Sequence, residues 1–476
     1  MSSLYVILLV VIAAALMGVS LFRASLVKTK ADYLVAGRSL PASVLVLTLL
    51  TSWIGAGSLF AGAENAYRNG FAALWQAGGG WLGLLLIYFI APRARKFAQF
   101  TLPDLLEARY NQTARVLGTI AILFAYVGIT SYQFKGGGNV LHLIFPETVT
   151  PELGTYIIAV FVIVSTALAG MSSVAYMDVA IGSLVTVICI ISAPMLFMKA
   201  GGWAGLHAAL PETHFEILGN LTLLRALEFL VPTMLLMLGN QVMYQKFFSA
   251  KSEKDARISV IGWILGTVLL ETLIVAIAVF GSALYPTGEV AKQPYEIIPY
   301  TARHGLPAFM GALLLSAVFA KVISTASNYL FSPATNLVND VFVRYIAPGA
   351  SNKRVLIISR LAVVILGCWA LYQAIYAQSI LEKMLYAYTI YSAALTPVVL
   401  AAFYSKRVTA WGAVAAIGAG TVVTLGWDVP GVKDVFPQVI AQRDAIFPAL
   451  IAAVAAMIVV SLFTARPSAD QLAKFS

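Results

Sequence analysis

The chain has 476 residues, of which 60% are hydrophobic and 11% charged, whereas a soluble domain carries about 25% charged residues. That composition excludes a string of soluble domains, because the apolar residues fall in runs of about 20, enough to cross a ~30 Å hydrocarbon core as helix. The net charge of +10 does not point to nucleic acid, because Lys and Arg sit in short segments between apolar runs, the pattern of cytoplasmic loops. The runs are continuous rather than alternating, so helices are expected and a β-barrel is not. Cys189 and Cys368 lie inside apolar runs and the four histidines are scattered. This argues against a disulfide framework and against a resident metal or cofactor.

Thirteen spans are predicted in chain order: 3–22, 41–63, 71–91, 115–141, 153–170, 178–198, 222–245, 258–284, 307–343, 355–377, 381–403, 409–427 and 445–465. The first has no positive charge before it and no small-residue cleavage site, so it reads as a retained helix. The loops after odd-numbered spans hold most of the basic residues, among them Arg93, Arg95, Lys96, Arg109, Lys246, Lys251, Lys254 and Arg257. That bias predicts an N-terminus outside and a C-terminus in the cytoplasm.

The second span contains Thr51-Ser52-Trp53-Ile54-Gly55-Ala56-Gly57-Ser58. Two glycines and three hydroxylic residues in mid-membrane suit a helix break that exposes carbonyls to a cation near the midplane. The same small residues also suit close helix packing, and the local pattern leaves both readings open. In the fourth span Lys135 follows Gln133 and precedes three glycines. It faces either the bundle interior or the outer interface. Asp178 opens the sixth span, close to the inner interface, where a solvated or ion-paired acid is the plain reading. The seventh span carries Pro232-Thr233, and proline frees a carbonyl one turn back. A break there, five spans after the first, is the spacing of two inverted five-helix repeats.

Glu271 is the notable acid of the eighth span. In the ninth, Lys321, Ser324 and Thr325 stand at i, i+3 and i+4 and share one helix face. Lys321 lies about 14 residues from the outer end, roughly 21 Å of rise. An ionisable residue at that depth is expected to face the bundle interior with polar partners. A lysine facing a cytoplasmic vestibule is the alternative.

Five segments in order resemble the solute:sodium symporter family, which includes sodium/proline, sodium/galactose and pantothenate carriers. They are Asp32–Pro41 (DYLVAGRSLP), Thr101–Tyr110 (TLPDLLEARY), Gly170–Val179, Gln241–Arg257 (QVMYQKFFSAKSEKDAR) and Ser324–Phe342. The resemblance implies an all-α membrane fold of the leucine-transporter type, with inverted repeats at 41–198 and 222–403. Segments 1–30 and 409–476 would be peripheral to a single transporter domain. It implies alternating access to a small solute, in a plasma (inner) membrane.

The family's cation position falls on Thr51, Ile54, Lys321, Ser324 and Thr325. Lys321 stands where the family has a small residue. An ammonium within ~4 Å would repel sodium by several kcal/mol at an effective dielectric near 20. Sodium coupling is therefore not expected at this position, and proton coupling or uncoupled transport is. Asp178 is the expected inner exit for an ion or proton. Ser58, Gln76, Thr233, Glu271 and Thr389 are the expected solute contacts. An organic acid or amino acid is favoured, on the view that Lys321 makes the cavity positive. A sodium symporter using another site, or a membrane sensor without transport, is the alternative. A channel lacks its filter, and an enzyme lacks a convergent catalytic set.

Overall fold

The computed structural model describes residues 2–26, 29–97, 100–376 and 379–473. Among the described residues, ten helices are long and apolar enough to cross a membrane, and Ser3–Val19, Ala42–Trp53 and Ala410–Gly426 are shorter apolar helices at three further predicted spans. The helices that matter for the site are α1 (Ser2–Ala24), α2 (Ala42–Trp53), α3 (Ala63–Asn69), α4 (Leu74–Phe97), α5 (Leu102–Arg109), α6 (Gln112–Ile144) and α7 (Pro151–Lys199). They continue with α8 (Leu223–Gly239), α9 (Gln241–Ser249), α10 (Glu253–Leu284), α11 (Ile297–Gly305), α12 (Ala308–Asn336), α13 (Asn352–Tyr376) and α14 (Ile380–Ala394). The last two are α15 (Ala410–Gly426) and α16 (Ile446–Phe463).

Position in the bundle follows side-chain burial. Helix α12 is buried along nearly its whole length, and α14 almost as fully. Helices α1 and α16 leave Ile7, Val10, Val11, Ile451, Ile458, Leu462 and Phe463 exposed. In a membrane such faces contact acyl chains, so α12 and α14 form the centre and α1 and α16 the rim.

Two interruptions set the geometry. Between α2 and α3 the chain leaves helical geometry at Ile54 (φ −79°, ψ 124°) and re-enters through a π-helical turn, Gly57–Gly62. Between α8 and α9 it does so at Asn240 (φ −62°, ψ 112°). The second break is a correction to the reading of Pro232, which α8 runs straight through. The determinant is Gly239-Asn240. Asn240 accepts the Val242 N–H at 3.0 Å and so caps α9. Gly239 leaves room for Thr396, whose hydroxyl oxygen lies 2.3 Å from where a Cβ would stand.

The fifth and sixth predicted spans are the two limbs of α7, divided at Gly170. Gly170 has φ +65° and ψ 178°, a region open in practice to glycine alone. An added Cβ would also lie 2.7 Å from the Tyr33 ring. At the end of the bundle where α5 meets α6, the Arg115 guanidinium binds Asp104 at 2.6 Å, Asp340 at 2.5 Å and also Glu107. Arg344 adds a bond to Glu107 at 2.6 Å. This network ties α5, α6 and the π-helical end of the ninth predicted span, Leu337–Ile346, into one unit.

Candidate solute and cation sites

The break after α2 frees backbone groups that lipid cannot satisfy. Thr51 O accepts from the Lys321 ammonium in a short contact, and Ile54 O accepts from the Thr325 hydroxyl at 2.8 Å. The Thr325 hydroxyl also lies 3.0 Å from Lys321 O and 3.4 Å from Thr51 O. On the other limb the Ala56 N–H donates to Gln133 Oε1 at 2.8 Å. Four of the five residues named for the cation position thus meet in space, Thr51 and Ile54 through carbonyls and Lys321 and Thr325 through side chains. Ser324 points past them and donates to Asp178 Oδ1.

Asp178 is the hub of this region. It is fully buried, so of the two plain readings for this acid the structure has the ion-paired one and not the solvated one. Its Oδ2 accepts from Thr48 at 2.6 Å and Ser52 at 3.3 Å, and Asn328 Nδ2 lies 3.3 Å from both oxygens. Its cationic partner is Lys246, at 2.9 Å. The Lys246 ammonium also donates to Thr48 O at 2.8 Å and to Ser52 Oγ. Lys246 had been counted among the cytoplasmic loop cations; that is corrected too, because it sits on α9 with no exposure at all. Three charged groups therefore lie together, two ammoniums and one carboxylate, and the carboxylate interacts electrostatically with both.

Adjacent to the break, a small cavity of about 20 Å³ lies between α2, α4, α8, α10 and α14. Ser58, Gln76, Thr233 and Glu271 all line it, with Trp53 and Tyr388. Thr389 does not; it lines a separate cavity of about 440 Å³ with Arg225, Glu228, Glu382, Asp428 and Asp444. Lys321 is not among the lining residues of the first cavity, and neither is Lys135, which is half-buried on α6. The cavity's one carboxyl belongs to Glu271, whose two oxygens accept the indole N–H groups of Trp53 and Trp81, each at 2.9 Å.

Sequence reasoning missed Lys246, Asn328, Thr48 and the two tryptophans. The available signal for Lys246 was its setting, a lone cation in QVMYQKFFS flanked by aromatic and apolar residues.

At the second break the freed carbonyls are met differently. Tyr391 donates to Gly239 O at 2.7 Å, Thr396 to Leu235 O at 2.7 Å and Tyr244 to Leu238 O at 3.0 Å.

Two helices interrupted five spans apart, beside a cavity that holds a buried acid, are the arrangement of a secondary transporter. The chain belongs to the sodium:solute symporter family, whose model matches residues 33–420. It is similar to the osmoregulated proline transporter OpuE of Bacillus subtilis (strain 168), with 25% identity over 92% of this chain and 90% of the relative. It is similar also to a sodium/proline symporter of Staphylococcus aureus, with 26% identity over 92% and 88%. Among solved structures, a Na+-coupled sialic acid symporter in a substrate-bound outward-open state superimposes with a TM-score of 0.82 at 17% identity, covering 98% of each chain. MhsT in complex with L-phenylalanine gives 0.53 at 14% identity, covering 88% of this chain and 97% of that one. These likenesses show the leucine-transporter-like fold.

Proposed function

We propose that this transporter moves a small polar solute without binding sodium between α2 and α12, because the Lys321 ammonium fills that position. The observation that carries the reading is the contact from Lys321 to Thr51 O beside the Thr325–Ile54 bond. A carbonyl and hydroxyl set of this kind suits a hard monovalent cation, and here a tethered cation already occupies it. The second ammonium, Lys246 on Asp178, adds to the positive field and opposes a further ion.

Coupling then runs through protons, with Lys321 in its neutral form as acceptor and Asp178 on the exit route, or transport is uncoupled. The relatives named for proline support an amino-acid solute over a plain organic acid. Ser58, Gln76, Thr233 and Glu271 are its proposed contacts, and Thr389 belongs to the approach. The loop charges support a plasma-membrane orientation with the N-terminus outside.

The test is uptake into proteoliposomes with sodium replaced by choline and with an imposed pH gradient. The expected result is uptake indifferent to sodium. A strict requirement for a sodium gradient, with no response to pH, refutes the proposal.

A further inference from the structure

The lining of the solute cavity is one-sided in its hydrogen-bonding chemistry. It contains no Lys, Arg or His, and its one acid is Glu271. That carboxyl is only 5% exposed. Each oxygen accepts one indole N–H, so both oxygens act as acceptors, and Ser58 also bonds the group. An ionised carboxyl has about four lone-pair sites, so acceptor capacity is left over.

A second acceptor stands nearby. Gln76 is 8% exposed, and its Oε1 is buried without a hydrogen-bond partner, while its Nε2 reaches only the Met384 sulfur at 3.7 Å. The Thr233 hydroxyl, also on the cavity wall, is turned to its own helix and donates to Phe229 O at 2.7 Å. A buried acid without a cation and a buried amide oxygen without a donor are both costly when left so. The cavity lacks a cationic N–H donor, and a solute can bring one.

We infer that the solute carries a protonated amine, held between Glu271 and the Gln76 amide oxygen, and that anions lacking an amine are excluded. The inference rests on the reading of this cavity as the solute site and does not depend on what fills the cation position. The rest of the solute is compact and apolar. It packs against Trp53, Ala73, Ala77, Ile274 and Val275, which move apart to admit it, because the free space between them is about 20 Å³, room for about one water.

The experiment compares three five-membered rings of nearly equal shape on purified protein in nanodiscs, by thermal shift. Pyrrolidine carries the amine alone, L-proline carries amine and carboxylate, and cyclopentanecarboxylate carries the carboxylate alone. Sodium chloride against choline chloride is a fourth arm. The expected result is protection by the two amines and none by the carboxylate, with Glu271→Gln weakening amine binding about 10- to 100-fold, the range for a lost charge-assisted bond. Gln76→Leu, which keeps the acid and its indoles, gives a smaller loss in the same direction.

Protection by cyclopentanecarboxylate without pyrrolidine overturns the amine and leaves the cavity as the solute site. Protection by sodium alone overturns it in favour of an ion. Protection by none of these overturns the amine and the solute site together.

Discussion

Lys321→Ala is the most informative single change. With lysine present, a sodium ion ~4 Å from the ammonium meets a repulsion of about 4 kcal/mol at an effective dielectric of 20, close to a thousandfold in affinity. Truncation removes that charge and leaves the Thr51 and Ile54 carbonyls and the Thr325 hydroxyl around a hollow. Residue 321 has no exposure, so the lost packing costs on the order of 2–5 kcal/mol. Sodium that enters the hollow restores part of it, about 2.7 kcal/mol at a concentration 100 times the dissociation constant. The assay is thermal unfolding of purified protein titrated with sodium chloride against choline chloride. Wild type is expected to show the same midpoint in both, and the variant to start lower in choline and rise with sodium. Saturable stabilisation of the wild type by sodium, lost in Lys321→Ala, would refute the reasoning.

Lys246→Met leaves the Asp178 carboxylate buried without its cation and should cost about 3–5 kcal/mol, most of it recovered in a Lys246→Met/Asp178→Asn double variant; chemical unfolding of the three proteins checks this. Arg115→Met removes the bonds to Asp104, Glu107 and Asp340 together. A loss of about 3–5 kcal/mol is expected, with faster proteolysis at the α5 end of the bundle. Gly170→Ala forces a Cβ against Tyr33 at a φ of +65° and should lower expression and thermal stability by more than about 1 kcal/mol.

The pH dependence has a named source outside the spans. Burial pushes Glu296 up from an ordinary 4.5 to about 7. The folded state therefore holds this proton more tightly than the unfolded chain. Its stabilising effect is complete below pH 4.5 and is lost as pH rises through 7, by about 3 kcal/mol in all. Glu296→Gln should flatten that part of the stability profile, as read by unfolding midpoints between pH 4 and 8.

The first broken helix was legible because Gly55 and Gly57 stand beside hydroxylic residues in an apolar run. The lysine face was legible because 321, 324 and 325 share a helical side. The second break was misplaced because proline is the louder signal, yet a helix in a packed bundle tolerates it. The effective signal, a glycine followed by an asparagine that caps the next turn, is quieter. Lys246 was lost to a rule that works on averages: cations at helix ends usually face the cytoplasm. Its partner Asp178 stands 68 positions away in sequence, and no periodicity connects two such residues. The cavity's charge was misjudged for a related reason. Depth along a helix can be counted from sequence, but the sector into which Lys321 points, towards the Thr51 carbonyl and away from Glu271, is set by how α12 packs on α2.

The two breaks are alike in backbone and unlike in what completes them. One is closed by an ammonium, the other by the hydroxyls of Tyr391, Thr396 and Tyr244. Both sets of plugs are covalently part of the chain, so on the proposed reading the assembled bundle takes no sodium from solution at the first break. A tethered plug cannot diffuse away into the cytoplasm at the end of a cycle. Whatever resets this carrier must move helices or a proton, because Lys321 stays with the protein.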